Sequence, residues 1–316
     1  MKILVYSNGS PSSVKALQFA ARLARKLDAD VAVITVRSGT HAAEPPLPDN
    51  RDIDLSDHRQ LPTGVQILVH AMGVLSQEGL LEPPDSKTLH LSELPNGHLL
   101  ICRSTTGRRI PLYVSFGPMI ETLNHEIDRH QYDLLVIAPP RRGRMHKIVL
   151  GDTTRKLVLD LHTSVLIVRG GGVHDRFVVC VDGSAASRRQ SGMLQRFLPA
   201  VEPPVEIVWV RTPDQDDAGT QIAEHYIESV RLWMAGSGKA FRTLCLEGEN
   251  PAEVIVEAAG DDAVIVLGAS LRHDVYRRLR GSLPMQILSR TGASVLVVKG
   301  LPEADPRFKA AIEPHE

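Results

Sequence analysis

The chain has 316 residues, of which 43% are hydrophobic and 23% charged, with 36 basic against 37 acidic side chains. A net charge of −1 excludes a general attraction to nucleic acid or anionic membranes, and we expect neither partner. No run of eighteen apolar residues occurs, so no membrane span is predicted. The cysteines Cys102, Cys180 and Cys245 lie far apart, which excludes a disulfide framework and is typical of a reduced, cytoplasmic protein.

The first predicted strand, Ile3–Val5, runs into the turn Asn8-Gly9-Ser10-Pro11. Ser10 suits a helix N-cap and Pro11 the first helical position. Apolar residues then recur at three- and four-residue spacing, which indicates an amphipathic helix: Leu17, Ala20, Ala24 and Leu27. The next run, Val31–Val36, is short and continuously apolar, as in strands that are buried on both faces of a parallel sheet.

The segment of about residues 38–108 is predicted to be an insert. It contains a loop rich in Pro and Asp (45–62), a helix over about 63–80, and a hairpin. Leu89 and Leu91 precede the Asn96-Gly97 turn of this hairpin, and Leu99 and Ile101 follow it. We expect deletion of residues 86–104 to leave the fold intact.

An internal repeat organises the chain. Asp182-Gly183-Ser184 repeats Asn8-Gly9-Ser10 at an offset of 174, and Ser294–Val298 repeats Ser164–Val168 at an offset of 130. The first copy is therefore 44 residues longer than the second. Alternation of strand and helix predicts an α/β protein of two tandem, doubly wound, mainly parallel five-stranded sheets. The expected domains are residues 1–170 and 176–301, with a Gly-rich linker between them and a polar tail over 302–316.

Ligands of open α/β sheets bind beyond the carboxyl ends of the strands, where the strand order reverses. In the second copy the fourth apolar run ends in Gly268, and Gly281-Ser282 opens the following helix. A glycine lets the backbone approach a ligand, and a Gly-Ser helix start offers N–H groups and a hydroxyl to phosphate oxygens.

These residues resemble the universal stress protein family, and the resemblance covers nearly the whole chain except the insert. ATP-binding members carry Gly, two residues, Gly, nine residues, then Gly-Ser or Gly-Thr. The second copy matches with Gly268, Gly281 and Ser282, and departs with Leu271. The resemblance implies a Rossmann-like fold, similar to that of the adenine nucleotide alpha hydrolases.

The resemblance also implies a site for ATP or another adenine nucleotide, in the second domain only. Asp182 would face the ribose or adenine, and Val210 the adenine. The remaining positions would meet the nucleoside (Leu267, Gly268) and the phosphates (Gly281, Ser282, Leu283).

The first copy departs further from the family pattern. Its equivalent positions are Ala138, Arg141, Gly151 and Asp152, and Asn8 replaces the acid. A carboxylate at the helix start satisfies the cap itself and would repel a phosphate. We therefore predict a degenerate first domain.

No catalytic residue is predicted, since no Gly-x-Ser-x-Gly elbow follows a strand, and the histidines form no cluster with metal-ligand spacing. At most, weak ATP hydrolysis is expected. Two functions stay open. One is a stress-response protein that binds an adenine nucleotide in a sensing or regulatory role. The other is a nucleotide-free interaction module, whose insert and basic loop (141–147) would meet a protein partner.

Family members pair through their last strands. The resemblance therefore implies that residues 165–168 and 295–298 pair within this chain as a pseudo-two-fold seam. Such pairing would cover two apolar strand edges. Association into a homodimer stays open.

Overall fold

The computed structural model describes residues 1–39, 52–54, 61–83, 88–139, 151–170, 176–197, 204–236, 238–269 and 282–299. The chain divides into two compact units, the first comprising Met1–Arg141 and Asp160–Thr163, the second Arg142–Leu159 and Ser164–Glu316. The predicted basic loop and polar tail, most of the Pro- and Asp-rich loop, and residues 171–175 of the linker lie outside the described residues.

The first unit is built on a sheet with strand order β7-β1-β2-β6-β5-β4-β3. β7, β1, β2 and β6 run parallel, whereas β5, β4 and β3 are joined to β6 by antiparallel pairing. In chain order the elements are β1 (Lys2–Tyr6), α1 (Pro11–Leu27), β2 (Asp30–Arg37), β3 (Asp52–Asp54), α2 (Thr63–Gln77), β4 (Thr88–Leu94), β5 (Gly97–Arg103), β6 (Arg109–Phe116), α3 (Met119–His130) and β7 (Leu134–Ile137).

The second unit has strand order β11-β10-β9-β12-β13-β8, and all its pairs are parallel except the last. Its first helix, α4, lies in this unit apart from its final residue. The elements are α4 (Asp152–Asp160), β8 (Ser164–Ile167), β9 (Arg176–Cys180), α5 (Ala185–Phe197), β10 (Val205–Arg211), α6 (Asp217–Gly236), β11 (Phe241–Glu247), α7 (Pro251–Ala259), β12 (Ala263–Ala269), α8 (Leu283–Arg290) and β13 (Ser294–Lys299).

The two units confirm the predicted duplication. The order β6-β2-β1-β7 of the first corresponds to β11-β10-β9-β12 of the second, so both are doubly wound α/β sheets. The strands are short and apolar because both faces are covered; β1 and β12 each have a run of fully buried residues at their centre. Within the predicted insert, α2 holds the same place in the element order as α6, so the additional elements are β3 and the β4–β5 hairpin.

The predicted pairing of the two last strands is confirmed. β8 and β13 run antiparallel, with Leu166 opposite Leu296, and both leucines are completely buried. Ser164 Oγ accepts a hydrogen bond from the Lys299 backbone N–H at 3.2 Å. Because β8 pairs with β13, the last strand of the first repeat belongs to the second compact unit.

The β4–β5 hairpin is an integral part of the first sheet, and this pairing argues against the expectation that its removal would leave the fold intact. β5 pairs with β6 at seven successive positions, from Gly97 opposite Ser115 to Arg103 opposite Arg109. Leu91 and Leu100 are buried to 1% exposure or less. Removing the hairpin would uncover the edge of β6 together with this apolar layer.

Substitution of Leu100 tests the structural role of the hairpin. Leu100→Ala should lower the free energy of unfolding by about 2–5 kcal/mol, because it leaves a cavity in a closely packed layer. Ile101, the next residue on the same strand, is 48% exposed. Ile101→Ala is thus a matched control that should cost less than about 1 kcal/mol. The measurement is urea denaturation followed by far-UV circular dichroism, and equal effects of the two variants would contradict the assignment.

Candidate functional site

The turns that follow β1 and β9 have the same construction. Ser10 N–H donates to Asn8 Oδ1 at 3.0 Å in the first, and Ser184 N–H donates to Asp182 Oδ1 at 2.9 Å in the second. The intervening glycines, Gly9 and Gly183, have φ of +75° and +71°, a backbone region that favours glycine. Each turn therefore bends the chain from the strand end into a helix start, and side-chain oxygens hold the bend.

The predicted N-caps of α1 and α5 are both present. Ser10 Oγ accepts from Ser13 N–H at 3.3 Å, and Ser184 Oγ accepts from Ser187 N–H at 3.2 Å. The two halves consequently share one scaffold at this point. The chemical difference between them is an amide at position 8 and an exposed carboxylate at position 182.

Parallel pairing brings three predicted positions together at the carboxyl ends of the strands of the second sheet. Cys180 pairs with Val208, and Val179 with Val266. Continuing these registers by two residues sets Val210 level with Asp182, and Gly268 level with Val181. β9 lies between β10 and β12, where the strand order reverses, so these positions border the crevice in which open α/β sheets bind ligands.

Gly268 also has a packing role. A Cβ at this position would lie 2.3 Å from the carbonyl oxygen of Ala186, in the first turn of α5. The glycine therefore allows β12 to pass directly beneath the start of α5. The neighbouring Leu267 is only 2% exposed, so almost none of this residue reaches the surface.

The start of α8 holds the described residues of the predicted phosphate site. Ser282 is the N-cap, with Leu283 as the first helical residue, and the Ser282 side chain makes no capping hydrogen bond to the backbone of the first turn. Both residues are partly exposed. Gly281 and Leu271, the other predicted elements of this segment, lie outside the described residues. In the first half the equivalent helix, α4, carries Asp152 in its first turn.

Two features next to the site were missed in the sequence. Gln190 of α5 is completely buried; its Nε2 donates to the Cys180 carbonyl oxygen at 2.8 Å, and its Oε1 has no hydrogen-bond partner within the described part of the chain. The repeat offset places Gln190 where the first half has Ala16, and this exchange of apolar for polar residue was the available signal. On α6, Tyr226 Oη donates to the Ser187 carbonyl oxygen at 2.8 Å.

The carboxyl end of β9 carries a buried thiol. The nearest thiol, Cys180, is buried, and burial together with the negative charge of Asp182 raises its pKa, so it is held as a neutral thiol. Among the described residues, no group of three or more His, Cys, Asp or Glu side chains is placed to hold a metal ion. No helix in the described ranges is both long and apolar enough to cross a membrane.

The fold is that of a doubly wound α/β protein, and its strand-to-helix turn occurs twice, once in each half. The sequence matches the profile of the Universal stress protein family over residues 1–169, and the chain belongs to that family. Among curated protein sequences, none matches this chain.

Solved structures with the same fold cover almost the whole chain. A functionally unknown protein from Pseudomonas aeruginosa is 16% identical and has a TM-score of 0.59, with 98% of this chain and 95% of that chain covered. A universal stress protein from Archaeoglobus fulgidus is 14% identical with a TM-score of 0.62, and the coverage is 95% and 96%. At these identities the likeness shows the fold alone.

Gly268→Ala tests the close approach of β12 to α5. The added methyl group meets a backbone oxygen, so the variant should lose about 1–3 kcal/mol of unfolding free energy. Gly236→Ala is the control, because a Cβ at that exposed position has nothing within 4 Å. Both tryptophans, Trp209 and Trp233, lie in the second unit, so their fluorescence during urea denaturation reports this region. Unchanged stability of Gly268→Ala would show that the approach is looser than described.

Proposed function

We propose that this chain is a stress-response protein whose second half binds an adenine nucleotide, with ATP as the first candidate. The observation that carries the proposal is the Asp182 turn at the strand-order reversal of the second sheet. The turn lies between the end of β9 and the start of α5, and it carries an exposed carboxylate. Residues 1–170 and 176–301 are proposed as the two family domains, of which the first does not bind nucleotide.

Asp182 is proposed to recognise the nucleoside. Its Oδ1 accepts the Ser184 N–H and holds the turn, so its second oxygen is the acceptor for a ribose hydroxyl or the adenine amino group. Such a hydrogen bond to a charged acceptor is stronger than one between neutral groups. Val210, Leu267 and Gly268 are proposed to line the base and sugar.

The start of α8 is proposed to hold the phosphates. Helix N-termini favour anions because the first backbone N–H groups have no partner within the helix and the helix dipole is positive there. Ser282 would add its hydroxyl, and Gly281 and Leu283 would flank it. Asp152 places a negative charge at the equivalent position of the first half, which supports the assignment of nucleotide to the second half only.

The role is proposed to be sensing or regulation rather than catalysis, with at most weak ATP hydrolysis. The buried thiol of Cys180 has a raised pKa and is a poor nucleophile. No resident metal is part of the proposal. Binding would act by stabilising one state of the second half, and the free energy available follows from the ligand concentration relative to its dissociation constant.

Asp182→Asn tests the nucleoside contact. Asn8 shows that an amide oxygen holds the same turn, so the variant should keep the fold and lose only the carboxylate. We expect ATP, ADP and adenosine to bind about tenfold to a hundredfold more weakly, measured by isothermal titration calorimetry.

The matched control is Asn8→Asp in the first half, which should leave nucleotide affinity unchanged. If wild-type protein fails to bind any of these nucleotides at millimolar concentration, the proposal is overturned. If Asp182→Asn binds as tightly as wild type, the nucleoside lies elsewhere.

Ser282→Asp tests the phosphate contact by giving α8 the charge that α4 carries. The added carboxylate should weaken ATP binding at least about fivefold through repulsion and leave adenosine binding unchanged. Ser282→Asn is the neutral control, since asparagine is an equally good N-cap. Titration of the three proteins with ATP and with adenosine distinguishes a phosphate effect from a general loss of the site. Equal losses for both ligands would contradict the assignment.

A further inference from the structure

The outer edge of β11 is open along the described part of the chain. β11 ends the strand order of the second unit, and β10 is the one described strand that pairs with it. None of its seven residues is buried; Phe241, Leu244 and Leu246 are partly exposed, and the other four are exposed. An edge of this kind presents unpaired backbone N–H and C=O groups and is a template for another strand.

In the first unit, the equivalent edge is covered by another strand. β6 holds the place in its sheet that β11 holds in the second, and an antiparallel strand, β5, pairs with β6 at seven positions. With that neighbour, five of the eight residues of β6 are buried. The fold thus accepts an antiparallel strand at this edge, and the second unit lacks one among its described residues.

The charges on β11 are directed toward β10 and leave the centre of the strand uncharged. Arg242 donates to Glu206, its neighbour in register, at 2.6 Å. At the other end Glu247 pairs with Arg211 in the same way. Between them lie Thr243, Leu244, Cys245 and Leu246, so no charge on this stretch opposes the approach of a second strand.

We propose that this edge pairs with β11 of a second copy of the chain, antiparallel and across a two-fold axis near Leu244 or Cys245. With the axis at either residue, Leu244 lies opposite a leucine of the other chain, either its own equivalent or Leu246. Arg242 and Glu247 then face uncharged residues, so no like charges oppose each other. A two-fold pair of identical surfaces is the commonest arrangement among homo-oligomers.

Cys245 provides a direct test, because the thiols of the two chains would lie on either side of the axis. Opposed residues of an antiparallel pair have Cα atoms about 4.5–5.5 Å apart, and diagonal ones about 7–8 Å. A short bis-maleimide should therefore cross-link wild-type protein into a covalent dimer. Cys245→Ser should abolish the cross-link, whereas Cys102→Ser should retain it.

Cys245→Lys tests the association itself. The side chain is exposed, so the fold should tolerate the change, but two like charges would then face each other near the axis. Sedimentation velocity between about 1 and 200 μM should show a wild-type dimer, since a single strand edge is a small interface of modest affinity. The dissociation constant should rise at least about tenfold in Cys245→Lys and stay unchanged in Cys245→Ser.

Glu121→Lys, on the exposed start of α3, controls for a general effect of charge and should leave the dimer intact. A wild-type protein that is monomeric at the highest concentration overturns the proposal. A dimer that persists in Cys245→Lys and is not cross-linked through Cys245 overturns it as well, because the copies would then meet through another surface. Circular dichroism of each variant confirms that the fold is retained.

Discussion

Unpaired strand edges are the constraint on which the rest of this structure depends. Covering both faces of a short, apolar, parallel strand and pairing its backbone groups on both sides stabilises it. β8 provides that pairing for β13, and the β4–β5 hairpin provides it for β6. The hairpin therefore completes the first sheet, and its presence does not by itself indicate a docking site for a protein partner. Among the described residues, β11 and the three-residue β3 each pair with one strand only, and β11 is the longer of these two edges.

The two halves share the backbone conformation of their strand-to-helix turns and differ there in a few side chains. Both turn from the first strand into the first helix through a side-chain oxygen, a glycine with positive φ and a serine cap. Asn8 and Asp182 accept the same hydrogen bond in that turn, at 3.0 and 2.9 Å. The difference concerns what the turn offers to a ligand, because a carboxylate accepts strongly and an amide also donates. At the starts of α4 and α8 the charge difference is reversed, since Asp152 is a carboxylate in the first half and Ser282 is neutral in the second.

Much of the fold could be predicted because its signals are local. Buried strands appear as short apolar runs, the serine caps and Pro11 mark helix starts, and Asn96-Gly97 marks the hairpin turn. The duplication was detectable from fixed offsets alone. The candidate site could be predicted in outline, since its positions follow strand ends. The buried Gln190 and the contact of α6 with the first turn of α5 could not be predicted, because they depend on which helix packs against which element.

By itself the sequence determined the repeat, the strand and helix segments, the hairpin and the family to which the chain belongs, because each depends on residues close together along the chain or at a constant spacing. Only the tertiary structure decided that the hairpin completes a sheet, that β8 belongs to the same compact unit as β13, and that Gly268 permits close packing of β12 against α5. These features arise from contacts between distant segments. Neither spacing nor composition reports which edges and surfaces meet when the chain folds.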